Sequence, residues 1–329
     1  MSDETRPHIG GQAVIEGVMI RNRDIYSIAV RKPNGDIEVV RRDVNSPASK
    51  HKFLRTPFLR GVIALFENLV LGIKSLLYSA EVAIPEDEKT NNRKNKSKGQ
   101  KEKNPGNTNH ADTKSSSNIF IVFGMIPALA LGVGLFLVLP NVSTHFLGLV
   151  EKDTPFLFNI VAGLIRLAVF LLYIVVISFM KDIKRTFQYH GAEHKSIFCY
   201  EDNKPLIIDE VRKYKTMHPR CGTSFLFFVF FITIIVFPLI TVAVEFLYKD
   251  FINLHIIYRK LIMIFLHIVV ALPIIASLSY ELLKLSDKMQ NSLLMKVLIA
   301  PGLLLQRITT KEPDDKQLEV AITAVKTVL

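Results

Sequence analysis

Four stretches of this chain run almost without charge for the length of a bilayer crossing. Ile119 to Leu139 carries none, and Phe156 to Met180 carries only Arg166. Ser224 to Leu247 is uncharged until Glu245, and Leu261 to Tyr280 is uncharged throughout. A hydrocarbon core about 30 Å thick takes roughly 20 residues of helix, so four such runs mark a membrane protein. Composition agrees once it is read by segment. The 49% hydrophobic and 22% charged residues coexist because they are segregated along the chain. The net charge of +11 is then a topology signal rather than a nucleic-acid footprint, and no nucleic-acid partner is expected. Residues 1–50 are polar and lack the apolar core of a signal peptide. Two cysteines 22 positions apart form no disulfide framework and fit a reducing compartment or a metal.

Taken in order, residues 1–56 predict a small cytoplasmic β region. Gln12 to Ile20 is one apolar run, and Ile25–Arg31 and Ile37–Arg42 flank an Asn34-Gly35 turn, which makes three strands. Glu16 inside the first run is either a functional carboxylate or an edge residue facing water. Residues 57–84 form an amphipathic helix. Phe58, Ile63, Phe66, Leu69, Val70, Ile73, Leu76 and Leu77 share a face, and Glu67 argues for lying at the bilayer surface rather than crossing it. Residues 85–117, rich in Lys, Asn and Ser, read as a disordered linker. Residues 118–281 are the four-helix membrane region, interrupted by a polar loop at 181–223. Within 282–329, Leu293–Leu305 is apolar but short and broken by Pro301-Gly302, which suits an interfacial or re-entrant segment. Asp314 and Gln317 have capping-box spacing ahead of a last helix, Leu318–Val328. The expected fold class is therefore a mainly α membrane protein. It has about four transmembrane helices, further amphipathic or interfacial helices, a small N-terminal β-hairpin or sheet, and a cytoplasmic C-terminal helix.

Lys and Arg set the orientation. Residues 1–118 hold 20 of them, 141–155 hold 1, 181–223 hold 9, 248–260 hold 3 and 282–329 hold 7. The positive-inside rule puts both termini and the 181–223 loop in the cytoplasm, with the lipid bilayer as the first partner and other membrane proteins as further ones. Arg166 and His267 are ionisable groups inside spans. Arg166 needs Glu245, Glu281 or a carbonyl as partner, and His267 reads as a hydrogen-bonded core histidine.

The 181–223 loop concentrates the chemistry. His190-Gly191-Ala192-Glu193-His194 places two imidazoles one helical turn apart on one face, with a carboxylate beside them, the spacing of the inverted zincin motif. Two imidazoles at that spacing can share a divalent metal, most naturally zinc, and Glu193 can act as general base on a metal-activated water. A third ligand is required, and His218 and Cys221 in His218-Pro219-Arg220-Cys221 are the candidates. Cys199, between Phe198 and Tyr200, reads as packed. Gly191 weakens the helix or permits close approach of another backbone.

These stretches resemble the YqhQ-like family, bacterial multi-pass membrane proteins with a domain of unknown function that are often labelled predicted metal-dependent enzymes. The resemblance is carried by Gly10–Met19, Arg60-Gly61, His190–Lys195, His218–Thr223, Tyr280-Glu281 and Pro301–Pro313. It implies that Gly10–Met19, Glu281 and the Thr309–Pro313 turn gather as a cap over the histidine loop. Three readings of function follow. The first is a metal-dependent hydrolase acting on a peptide or lipid-linked group at the membrane. The second is a non-enzymatic module that binds or regulates another membrane complex. The third is a small transporter or channel using Arg166, His267 and Glu245.

Overall fold

The computed structural model describes residues 9–44, 46, 51–85, 126–289 and 292–329. The expected linker, but for Pro85, and the start of the first expected span (119–125) lie outside them. The strands are β1 (Gly10–Val14), β2 (Gly17–Asn22), β3 (Ile25–Arg31) and β4 (Ile37–Asp43). The longer helices are α1 (Leu59–Ala83), α2 (Ile126–Phe146), α3 (Pro155–Ile177), α4 (Lys181–Glu201) and α5 (Gly222–Leu247), with a single turn at Ile208–Val211 between the last two. After these, α6 runs from Ile256–Leu266 through a π turn at His267–Ala271 into Leu272–Lys288. Helices α7 (Leu293–Thr309) and α8 (Asp315–Val328) follow.

The strands form an antiparallel meander in the order β1-β2-β3-β4. There are four rather than the three expected, because the run from Gln12 to Ile20 folds back at Ile15 and Glu16, pairing Val14 with Gly17. Glu16 sits at φ 51°, a left-handed conformation that a non-glycine residue enters only where contacts hold it. Here the Arg185 guanidinium grips both carboxylate oxygens and the Tyr189 hydroxyl donates to one of them at 3.2 Å. Period-two alternation then sorts the strands. Val18, Ile20 and Ala29 face α4 and α8, while Val14, Met19, Ile28 and Val30 face Leu71 and Val82 of α1. A sheet this small is unstable alone. Sandwiching it buries both faces, and each large apolar side chain so buried contributes about 1.5–3 kcal/mol. Helix α8 opens on the Asp314/Gln317 capping box, with both halves formed.

Helices α5 and α6 pack through Ile232, Val236, Ala271 and Ile275. Met295 and Ile299 of α7 lie against Phe228 of α5. Helix α1 is fixed to α6 by a two-pronged ion pair between Arg60 and Glu281 and by the Ser277 hydroxyl, which donates to the Phe58 carbonyl. His267 stacks on Phe237, centroids 4.1 Å apart.

Residues 126–172 belong to a second compact unit. In it, α2 continues through Pro140 because a π turn at Gly134–Val138 has already interrupted the i→i−4 ladder. The Arg166 Nε donates to the Phe136 carbonyl of that turn at 2.8 Å. A backbone carbonyl thus answers the intramembrane charge. Among the described residues, five helices, α1, α2, α3, α5 and α6, are long and apolar enough to cross a membrane. The chain is a mainly α membrane protein with a small N-terminal sheet.

Candidate metal centre

The polar segment between the second and third expected spans is largely one helix, α4. Glu193, His194, Lys195 and Ser196 are all buried, at 3%, 1%, 3% and 0% exposure. Four consecutive residues sweep a full helical turn, so this stretch of the helix is enclosed, while Lys181, Asp182, Lys184 and Arg185 in its first turns are exposed. Buried polar groups must find partners. The Lys195 ammonium pairs with Glu312 and donates to the Arg212 carbonyl at 3.0 Å.

The two histidines carry the main inference. His190 Nδ1 lies 2.8 Å from the Thr309 carbonyl oxygen, and His194 Nδ1 meets the Thr216 carbonyl oxygen. A carbonyl only accepts, so in each ring Nδ1 carries the proton and the neutral imidazole presents a bare lone pair at Nε2. His190 Nε2 lies 3.1 Å from Cys221 Sγ, and His194 Nε2 is buried without a protein partner. The ligand atoms of His190, His194 and Cys221 all fall within 4.8 Å of one another. Tetrahedral bonds of about 2.0–2.3 Å hold ligand atoms about 3.3–3.6 Å apart, so side-chain shifts of about 1 Å close this triangle on an ion. Burial holds His194 below the usual imidazole range, which keeps it in the ligating form. Burial pushes the Cys221 thiol up. The facing His194 and the Thr223 amide and hydroxyl more than offset this, and the thiol ends below its ordinary value. Sγ accepts from Thr223 N at 3.4 Å and Oγ1 at 3.3 Å as the N-cap of α5.

Of the two third-ligand candidates, Cys221 joins the triangle and His218 lies beside it. His218 Nδ1 accepts from Arg220 N at 3.2 Å, and Nε2 faces Glu201 at 3.4 Å. Its ring packs on Phe198 and His194, with centroids 4.3 and 5.6 Å away. Cys199 is buried, its thiol donating to the Pro205 carbonyl at 3.3 Å. Glu193 stands between the two histidines in sequence. Burial pushes its carboxyl up to about 8, against the pull of His190, and Oε2 has no protein partner.

Distant parts of the chain build the surround. A Cβ on Gly191 would collide with the Lys311 carbonyl, and Lys311 N–H donates to the Phe187 carbonyl at 2.9 Å. The glycine therefore admits the Thr309–Pro313 turn against α4. A Cβ on Gly11 would stand 2.9 Å from Glu193 Oε1, so β1 lies directly on the carboxylate. Both chain ends thus gather at α4 as the resemblance implies, whereas Glu281 pairs with Arg60. Gln306, which sequence reasoning did not single out, is fully buried. Its amide accepts from His218 N at 2.8 Å and donates to His218 O at 2.9 Å, pinning the turn that delivers Cys221. Its signal was a lone amide in the apolar segment before Arg307. The carbonyls of Thr216 and Thr309 had none, since any residue supplies one. A cavity of about 1100 Å³ reaches from His190, Glu193, His194 and Cys221 to β1 and α1.

The fold and the site define a class: a mainly α membrane protein in which two imidazoles of a polar helix meet a buried cysteine. The chain belongs to the DUF1385 family of proteins of unknown function, which matches residues 56–329. It is 32% identical over 332 residues to the uncharacterized protein YqhQ of Bacillus subtilis (strain 168), covering 98% of this chain and 92% of that protein. No solved structure matches it.

Proposed function

We propose that the chain binds one divalent metal, zinc by ligand chemistry, through His190, His194 and Cys221, and works as a hydrolase at the cytoplasmic face of the membrane. One observation carries this reading: both imidazoles spend Nδ1 on backbone carbonyls, which leaves each Nε2 a lone pair, and the ligand atoms of His190, His194 and Cys221 lie within 4.8 Å of one another. Two imidazoles and a thiolate suit zinc, and three protein ligands leave a fourth position for water. The metal would supply Lewis acidity and a water acidified to near neutrality. The cation's charge would favour the carboxylate form of Glu193, which lines the same cavity and would take the proton from that water and return it to the leaving group. His218 would hold the wall behind His194, and Gln306 the turn. Purified protein should contain about one zinc per chain, lost in the His190→Ala/His194→Ala double variant. Full metal in the double variant would overturn the ligand set. Glu193→Gln should keep the metal and abolish function in cells.

A second reading has its own observation. Cys221 N-caps a long helix 3.1 Å from an imidazole that a carbonyl orients, which also suits a nucleophilic thiol. Metal-free protein whose function survives a chelator but fails in Cys221→Ser would favour it.

The topology reading is that four of the five apolar helices cross and both termini are cytoplasmic. Parity supports it. Strands β2 and β3, helix α4 and helix α8 share one core, so they lie on one side of the membrane. The chain must then cross an even number of times between β4 and α4, where three candidates stand, and again between α4 and α8, where there are two. Of α1, α2 and α3, it is α1 that has the sheet along one side, with Arg21 on Glu67 and Tyr78 on Glu38. Its other side bares Phe66, Leu69, Val70, Ile73 and Leu77, a stripe suited to the bilayer surface.

A further inference from the structure

We propose that the substrate of this site is a polypeptide, bound extended as a fifth strand along the free edge of β1. The proposal rests on the hydrolase reading and names its substrate class. The sheet order leaves β1 pairing only with β2 among the described residues. Helices α4 and α1 close over opposite faces of the sheet. Between them, at the sheet edge, lies the cavity, and Gly10, Gly11, Gln12 and Ala13 line it together with His190 and Glu193.

The edge presents backbone groups. In an antiparallel pair, alternate residues turn both N–H and C=O toward the partner, and the others turn them away. Ile15 N–H leaves the sheet and bonds Ser79 Oγ at 3.1 Å. Gly11 and Ala13 share its parity, so their peptide groups face the cavity. Gly10 and Gly11 are exposed, and Gly11 abuts Glu193. An added strand the length of β1, five residues, extends about 17 Å beside the metal ligands. Strand addition supplies main-chain hydrogen bonds as affinity and leaves alternate side chains to pockets.

A lipid headgroup fits less well. Of the five basic residues that line the cavity, Arg21, Arg60 and Arg220 each already face a carboxylate, on Glu67, Glu281 and Glu201, and the other two, Arg23 and Lys284, are exposed to solvent. A phosphate would have to compete with those carboxylates, whereas peptide N–H and C=O groups match the outward groups of β1. The reaction consumes one water. Its oxygen bonds the scissile carbonyl carbon, the C–N bond breaks, and the proton Glu193 takes from water passes to the departing nitrogen. A carboxylate and an amine result.

The test uses full-length, zinc-loaded protein in detergent with two probes: a degenerate library of twelve-residue peptides, read by mass spectrometry, and phospholipid vesicles. The expected result is cleavage of a subset of peptides, stopped by a chelator and by Glu193→Gln. Cleavage should fall at least tenfold in Ala13→Pro, which removes an outward N–H from the edge while zinc is retained. If Ala13→Pro loses its zinc, the cleaved peptide is instead N-methylated at alternate amides. One parity should then abolish cleavage and the other spare it. An intact library with hydrolysed vesicle lipids overturns the peptide substrate and leaves the metal site standing. Cleavage indifferent to both Ala13→Pro and N-methylation overturns strand addition. Absence of zinc overturns the site reading itself, and bound zinc with neither probe turned over overturns the proposal.

Discussion

Glu193 is only 3% exposed, and its ionisation is therefore a property of the fold. It titrates at about 8 against an ordinary 4.5, because burial penalises the anion more than His190 favours it. The unfolded chain thus releases this proton first as pH rises. Stability from this group is full below about 4.5 and is lost as pH climbs toward 8. In metal-stripped protein, Glu193→Gln should match the parent near pH 4.5 and exceed it at pH 8 by a few kcal/mol, since each unit is worth about 1.4 kcal/mol. Unfolding in detergent at the two pH values measures this, and equal pH slopes for parent and variant would refute it. At this scale the sequence was readable as far as spacing goes. His190, Glu193 and His194 stand on one helical face because i, i+3 and i+4 always do. Their partners were not readable, because the Thr216 and Thr309 carbonyls belong to the backbone.

At the scale of elements, the turn between α4 and α5 depends on α7. Gln306 satisfies both the N–H and the C=O of His218 from a fully buried position. Removing the amide strands two buried backbone groups at about 1–3 kcal/mol each. Gln306→Ala should therefore lower stability by about 2–6 kcal/mol and weaken zinc retention, although Gln306 is no ligand. Metal content after dialysis, read alongside unfolding, tests this; unchanged retention would separate α7 from the site. The strands teach the same lesson in reverse. Periodicity made Gln12 to Ile20 one strand, since nothing local in Ile15-Glu16 signals a turn. Arg185 and Tyr189, some 170 positions on, hold Glu16 in its left-handed conformation.

For the whole molecule, the shared core of sheet, α4 and α8 constrains the topology more tightly than charge counting does. If that core lies on one side of the membrane, the sheet before α1 and helix α8 after α7 face the same compartment. With the cytoplasmic assignment, an impermeant thiol reagent on intact cells should label Glu151→Cys and spare Asn34→Cys and Lys316→Cys, while all three label in lysed cells. The native Cys199 and Cys221 are buried and give low background. Labelling of Asn34→Cys in intact cells would mean that the N-terminal sheet faces outward and would overturn the topology reading.

The sequence by itself determined what local order can encode. It set the apolar runs that make a mainly α membrane protein, the one-turn spacing of His190 and His194, and the capping box at Asp314. Tertiary structure decided the rest. It brought Cys221, rather than His218 three positions before it, within reach of His190 and His194, by a turn clamped from α7. It enclosed a polar helix with both ends of the chain, and it placed an open strand edge beside Glu193. Periodicity is a property of neighbours, whereas ligands, shared cores and free edges depend on pairs of residues far apart in sequence. No window along the chain contains both members of such a pair.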